Sequence, residues 1–348
     1  MSKPSPRLPF ASVLDRIRPS LDLVERSMRE QLASESDLVR VIGEHVLASG
    51  GKRVRPALLI LASDLCGYTG PRRIQVAAAV ELLHTATLLH DDVVDLAIQR
   101  RGRPSANAVW GNRRAVLAGD FFYARASSMI VEDGDLEILT VFANTIRRMA
   151  EGEILQLELS FDPEVSEGQY YQVIERKSAV LLSAACEAGA ILAGVTRAER
   201  RRVAEFGREL GLAFQLRDDA LDYAAGEREL GKLPYTDLRE GKVTLPLLLT
   251  LKRCTPAERE RIGAVLKAAA RASAQATLHG EVPAGDALPE GELQAVLELV
   301  ARHRGVEDAG RRAEEHVTRA AQSLAPFQEG SAKAALLAAA RFAVARAS

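Results

Sequence analysis

Cysteine, aromatic residues, alternating strand patterns and long apolar runs are all scarce in this chain. Three cysteines in 348 residues exclude a disulfide scaffold. Cys66, Cys186 and Cys254 show neither metal spacing nor a neighbouring base in sequence, and they read as core or surface thiols of a reducing, cytoplasmic compartment. No stretch reaches the roughly 18 uninterrupted apolar residues of a membrane span, and the N-terminus has no apolar run, so neither a transmembrane segment nor a leader is expected. A formal net charge of −1 excludes the broad basic surface of a nucleic-acid binder. Aromatic residues make up 5% of the chain against 47% hydrophobic residues overall, so the core must be built from aliphatic side chains. No Pro/Gly/Ser linker interrupts the middle, which predicts a single domain over 1–348, with a motif-bearing core over 45–250 and C-terminal helices over 256–346.

What is present is helical periodicity nearly throughout. It predicts helices over about 10–33, 37–48, 54–66, 72–95, 112–132, 135–160, 167–194, 197–224, 244–252, 256–275, 288–303, 305–324 and 331–346. Turn residues punctuate the gaps at Gly50-Gly51, Gly70-Pro71, Gly102 to Pro104, Asp133-Gly134, Asp162-Pro163 and Gly226 to Pro234. The fold class is therefore all-α.

Two acidic clusters stand out, Asp91-Asp92-Val-Val-Asp95 and Asp218-Asp219-Ala-Leu-Asp222. Residues four apart share a helix face, so each cluster projects two carboxylates the same way. Like charges so placed call for a cation, and hard oxygen donors suit Mg²⁺ carrying a substrate phosphate. A solvated acidic face is the bland alternative. Apolar sequence before each cluster, His84-Thr-Ala-Thr-Leu-Leu-His90 and Gly211-Leu-Ala-Phe-Gln-Leu216, weighs against it.

Basic residues suited to phosphate occur in separate short segments. Gly50-Gly-Lys-Arg-Val-Arg-Pro56 sets Lys52, Arg53 and Arg55 on a glycine-led entry to a helix, where N–H groups favour anions. Arg100 and Arg101 follow the first cluster, and their planar guanidinium forks match phosphate oxygens. Lys177-Ser178, Gly231-Lys232 and Gly241-Lys242 come later. Each is weak alone.

Taken in order, these motifs resemble those of the trans-type polyprenyl diphosphate synthases. The match adds Glu81-Leu-Leu-His84, Gly119-Asp120, Gly152-Glu153 with Gln156, Gln215-Leu-Arg-Asp218 and Asp237-Leu-Arg-Glu-Gly-Lys-Val-Thr-Leu-Pro246. The resemblance implies a large helical bundle of the isoprenoid synthase type with a central cavity, a homodimer, and Mg²⁺-dependent condensation of isopentenyl diphosphate with an allylic diphosphate. It implies about three Mg²⁺ ions, held directly by Asp91, Asp95 and Asp218 with Asp92, Asp219 and Asp222 in support. Arg100, Lys177, Lys232 and Lys242 are implied to grip the allylic diphosphate, and Lys52, Arg55, His84 and Arg101 the isopentenyl diphosphate. Ser178 and Gln215 would face the allyl cation. His84 could instead be a satisfied core histidine. Tyr235 departs from the family pattern, which usually has a small residue, mostly glycine, at that place.

Product length is read from the helix before the first cluster. In the resembled family, aromatic residues four and five positions before the first aspartate close the product tunnel; here Thr87 and Ala86 stand there, with aliphatic Leu83 deeper. A long, octaprenyl-type product for a quinone side chain is expected. The alternatives are a shorter geranylgeranyl or farnesyl product, with Phe121, Phe122 or Phe142 closing the tunnel, and a non-catalytic partner subunit of a heteromeric synthase. A terpene cyclase is disfavoured by the second complete aspartate cluster.

Overall fold

The computed structural model describes residues 10–224, 235–279 and 290–345. Among them the chain is helical almost throughout, and none of the helices is long and apolar enough to cross a membrane. Lys232 lies outside the described residues, as do Gly226 to Pro234.

Contacts divide the chain into two compact units: residues 1–146, 181–208 and 320–342, and residues 147–180, 209–319 and 343–348. In the first unit, α1 (Phe10–Glu30), α2 (Asp37–Ala48), α3 (Val54–Leu65) and α4 (Arg72–Val94) lead to a two-residue hairpin, β1 (Gln99–Arg100) and β2 (Arg103–Pro104). A short α5 (Ala106–Trp110), α6 (Asn112–Asp133) and the first part of α7 (Leu136–Leu159) follow. Helix α4 is buried on most of its surface, from Val76 to Leu89, because its sequence has too few polar residues to offer a solvent face. It packs most extensively on α6.

Glycines set the closest approaches between helices. A Cβ on Gly189 of α9 (Val180–Leu192) would stand 2.5 Å from the Leu59 carbonyl oxygen of α3, and one on Gly207 of α10 (Arg197–Ala224) 2.5 Å from the Leu182 carbonyl oxygen. Neither space admits a side chain.

The second unit begins within α7. Helix α8 (Glu167–Ile174) starts on a reciprocal cap, Ser166 with Gln169, and then widens into a π turn over Glu175–Ala179 before α9 resumes. Beyond α10 come α11 (Thr236–Arg239), α12 (Leu245–Leu251), α13 (Pro256–His279), α14 (Glu290–Arg302) and α15 (Gly305–Ser323). Helix α12, Leu-Pro-Leu-Leu-Leu-Thr-Leu, is buried along its whole length and is a hub of an aliphatic core with Leu216, Ile262, Leu266 and Val296. The last helix, α16 (Ser331–Ala345), lies mainly in the first unit.

Candidate active site

The first cluster stands at the C-terminal end of α4. Asp91 and Asp95 are half-buried, and Asp95 is the residue that closes the helix. Asp92 is buried and receives a hydrogen bond from Arg100 Nε at 2.7 Å. Asn107 ties the chain just past the cluster, donating to the carbonyl oxygens of Asp92 and Ala97, both at 3.0 Å. The hairpin turn thus sets Arg100 against Asp92 while Arg101 at its tip takes φ +53.

Arg101 reaches back to the glycine turn. Its Nη1 donates to the Gly50 carbonyl oxygen, and a Cβ on Gly51 would come within 2.8 Å of that nitrogen. A side chain at position 51 would push the guanidinium aside. Arg53, by contrast, is committed elsewhere: it pairs with Glu25 at 3.1 Å and with buried Glu81 at 3.2 Å. Nε of Arg55 is buried with no hydrogen-bond partner, and Lys52 is exposed, its Nζ 4.7 Å above the Phe342 ring.

His84 sits among these charges. Burial first, and then Arg55, Arg101, Arg100 and Arg53, hold its imidazole well below the usual histidine range, so it stays neutral. Arg55, Arg101 and His84 thus share one electrostatic neighbourhood. Further along α4, Leu83 and Ala86 are buried, and the half-buried Thr87 turns its hydroxyl onto the His84 carbonyl oxygen at 2.8 Å.

Within the second unit, Lys177, Ser178, Gln215, Asp219 and Lys242 line one cavity of about 120 Å³ together with Gln156, Tyr170 and Asp237. That volume admits several waters or a phosphate-sized group. The π turn presents Lys177 and Ser178. A Cβ on Gly152 would meet Arg176 Cβ at 2.7 Å and the Lys177 nitrogen at 2.8 Å, so α7 lies flush against the widened turn. Lys177 Nζ pairs with Glu153 at 2.6 Å, and Lys242 Nζ with Glu240 at 2.5 Å.

A directed chain of hydrogen bonds crosses the cavity wall. Ser178 Oγ donates to Gln215 Oε1 at 2.7 Å, Gln215 Nε2 donates to Asp219 Oδ1 at 2.7 Å, and Tyr170 OH donates to Asp219 Oδ2 at 2.5 Å. Both Asp219 oxygens are thereby occupied, which suits a supporting role better than a direct ligand. Asp222 accepts from the backbone N–H groups of Thr236 and Asp237 at 3.2 and 3.1 Å, while Asp218 is exposed. Burial pushes the Asp219 carboxyl up to about 7, with Asp218 and Asp222 adding to the rise against the opposing bonds from Tyr170 and Gln215. Burial, followed by Asp219 and Asp222, likewise carries Asp237 well above the carboxylate range. Four carboxylates so crowded are an oxygen-rich set that a divalent cation would relieve.

Sequence reasoning passed over Tyr170 and Asp237 as site residues. Asp237 stands in a recognised motif and was within reach; Tyr170 is one aromatic in a helix, with no spacing to mark it. The departure at Tyr235 has a visible cost, because this residue holds φ +62, a conformation that glycine adopts without strain.

The family model described as polyprenyl synthetase matches residues 36–279. The chain is similar to an octaprenyl diphosphate synthase of Escherichia coli (strain K12), 45% identical over 69% of this chain and 74% of that protein. It is also similar to an octaprenyl diphosphate synthase of Haemophilus influenzae, 37% identical over 92% of each. Among solved structures, a polyprenyl synthase from Caulobacter crescentus complexed with calcium and isoprenyl diphosphate superposes with a TM-score of 0.88 at 37% identity, covering 99% of both chains.

Proposed function

Because the chain belongs to the polyprenyl synthetase family and is a prenyltransferase, we propose that it condenses isopentenyl diphosphate with an allylic diphosphate and repeats the step to a long, octaprenyl-type diphosphate. The observation that carries this reading is the cavity where Lys177, Ser178, Gln215, Asp219 and Lys242 converge.

The reaction breaks the allylic C–O bond, forms a C–C bond from the alkene of isopentenyl diphosphate to the resulting cation, and returns one proton to the departing diphosphate. No histidine base is required. Asp91, Asp95 and Asp218 would hold about three Mg²⁺ ions, with Asp92, Asp219 and Asp222 in support, and the bound metal would supply positive charge to the leaving diphosphate. Lys177, Lys242 and Arg100, with Lys232, grip that leaving group. Lys52, Arg55, neutral His84 and Arg101 hold the acceptor diphosphate, so donor and acceptor keep a fixed relation. Oxygen dipoles of Ser178 and Gln215 face the developing cation.

Product length follows from Ala86 and Thr87, which supply no aromatic floor beside buried Leu83, and from relatives described as octaprenyl diphosphate synthases. Residues 1–348 act as one polyprenyl synthase domain in which both aspartate clusters serve the same reaction. The active form is a homodimer. Val116, Leu117, Tyr123 and Val131 are all exposed on α6, an apolar face of the kind that a second copy covers. Three free thiols accord with a reducing, cytoplasmic setting.

The test is the product profile of the purified chain given farnesyl diphosphate, labelled isopentenyl diphosphate and Mg²⁺, with and without chelator. Chelator-sensitive long-chain product is expected. A stop at the geranylgeranyl stage would move the tunnel floor, and no product would favour a non-catalytic subunit. Ala86→Phe should shorten the ladder, and an unchanged ladder would remove Ala86 from the tunnel.

A further inference from the structure

Cys254, Glu258 and His303 take no part in the chemistry above, and none lines the cavity. Nor is Cys254 isolated, as its sequence neighbourhood suggested. Its sulfur, a Glu258 carboxylate oxygen and a His303 ring nitrogen lie within 4.8 Å of one another. We propose that these three side chains form a Zn²⁺ site that clips the start of α13 to the turn after α14.

His303 Nε2 is 3.2 Å from Glu258 Oε2. Donors around tetrahedral zinc, at bond lengths of about 2.0–2.3 Å, stand roughly 3.3–3.8 Å apart, so this pair is already close to coordinating separation. The thiol needs only a small side-chain adjustment. A thiolate, an imidazole and a carboxylate make a borderline-soft set that selects zinc over magnesium, and they leave one position for water. All three are half-buried, which gives an ion access.

Glu258 has a second role as a helix cap: Thr255 donates to its Oε2 from the backbone N–H at 2.9 Å and from the hydroxyl at 3.1 Å. Capping and the hydrogen bond to His303 Nε2 account for the carboxylate and the imidazole, but not for the approach of the thiol to both. Nearby guanidinium groups are already compensated, Arg253 by Asp308 at 2.5 Å and Arg259 by Glu164 at 3.0 Å. Arg302, 2.9 Å from Glu258 Oε1, has a side chain 64% exposed, so displacing it costs little. Burial and the Glu258 charge raise the Cys254 thiol. Coordination through the thiolate displaces the thiol proton to solvent.

Titration of the full chain with Co²⁺, a spectroscopic substitute for Zn²⁺, tests the site. A thiolate-to-cobalt band in the near ultraviolet is expected, saturating at a single ion per chain and displaced by Zn²⁺ but not by excess Mg²⁺. Oxygen ligands of the active site give no such band. Cys254→Ser should abolish it, and His303→Gln should weaken Zn²⁺ binding at least about tenfold, both with unchanged helical circular dichroism and Mg²⁺-dependent turnover. A missing band in the parent chain, or one that survives Cys254→Ser, overturns the proposal.

Discussion

In the first aspartate cluster the buried carboxylate of Asp92 is met by a guanidinium, Arg100; in the second, the equivalent Asp219 is met by a phenol and an amide, Tyr170 and Gln215. The buried aspartate of the same five-residue pattern is thus met by a full charge in one unit and by dipoles in the other. Dipoles offset burial only in part, and Asp237 adds another carboxyl to the neighbourhood of Asp219. Among the partners seen at the two buried positions, the charge of Asp219 is therefore balanced less fully than that of Asp92. A repeated motif specifies the ligands but not how their charge is balanced.

The sharpest way to break the comparison is to remove a ligand from either side. Asp91→Ala and Asp218→Ala should each lower kcat by about 10³-fold or more, several kcal/mol of lost transition-state stabilisation, with helical content unchanged by circular dichroism. Near-normal turnover in either variant would free that aspartate from the metal assignment.

Next in size is the glycine beneath the π turn. Gly152→Ala must displace Arg176 or the Lys177 backbone, and such overpacking costs about 1–3 kcal/mol. Thermal melting should show that loss, and the KM for the allylic diphosphate should rise as Lys177 moves. An unaltered KM would separate the π turn from diphosphate binding.

Removing one dipole sharpens the contrast. Tyr170→Phe leaves one Asp219 oxygen without its donor, and a buried unsatisfied acceptor costs about 1–3 kcal/mol. Half-saturation by Mg²⁺ should shift upward, whereas Phe substitutions at exposed tyrosines such as Tyr123 should leave it alone. If Tyr170→Phe binds Mg²⁺ as the parent does, the phenol is only a packing group.

The smallest effect is a slope with pH. Asp219 titrates near 7 when folded and near 3.9 when unfolded, so between those values the folded state holds the extra proton. Stability without metal should then fall as pH rises from about 4 to about 7 and level off above. Added Mg²⁺, which favours the ionised form, should stabilise increasingly over the same window. Melting curves of Asp219→Asn should show a shallower slope, the remainder being carried by Asp237; an unchanged slope would mean that Asp219 is not the titrating group.

Much of the helical layout was legible from periodicity and punctuation. The long helices begin and end within a few residues of expectation, as at Val54–Leu65 and Arg197–Ala224, because their apolar stripes and flanking turns are local features. Other features were not. The span expected as one helix over 167–194 is interrupted by a π turn, which leaves no compositional trace. The hairpin at Gln99–Pro104 is too short to show alternation, and the partners of Arg53 and Tyr170 lie far along the chain.

By itself the sequence determined the helical class, the paired aspartates and the inventory of phosphate-seeking cations, since these follow from residue type and short-range spacing. Only the tertiary structure decided which cations remain available: Arg53 is consumed by Glu25 and Glu81, whereas Arg55 keeps a buried, unpartnered Nε. It alone raised the Asp219 carboxyl above its ordinary range and drew Cys254 toward Glu258 and His303. Burial and the field of distant neighbours govern those properties, and both exist only once the chain has folded.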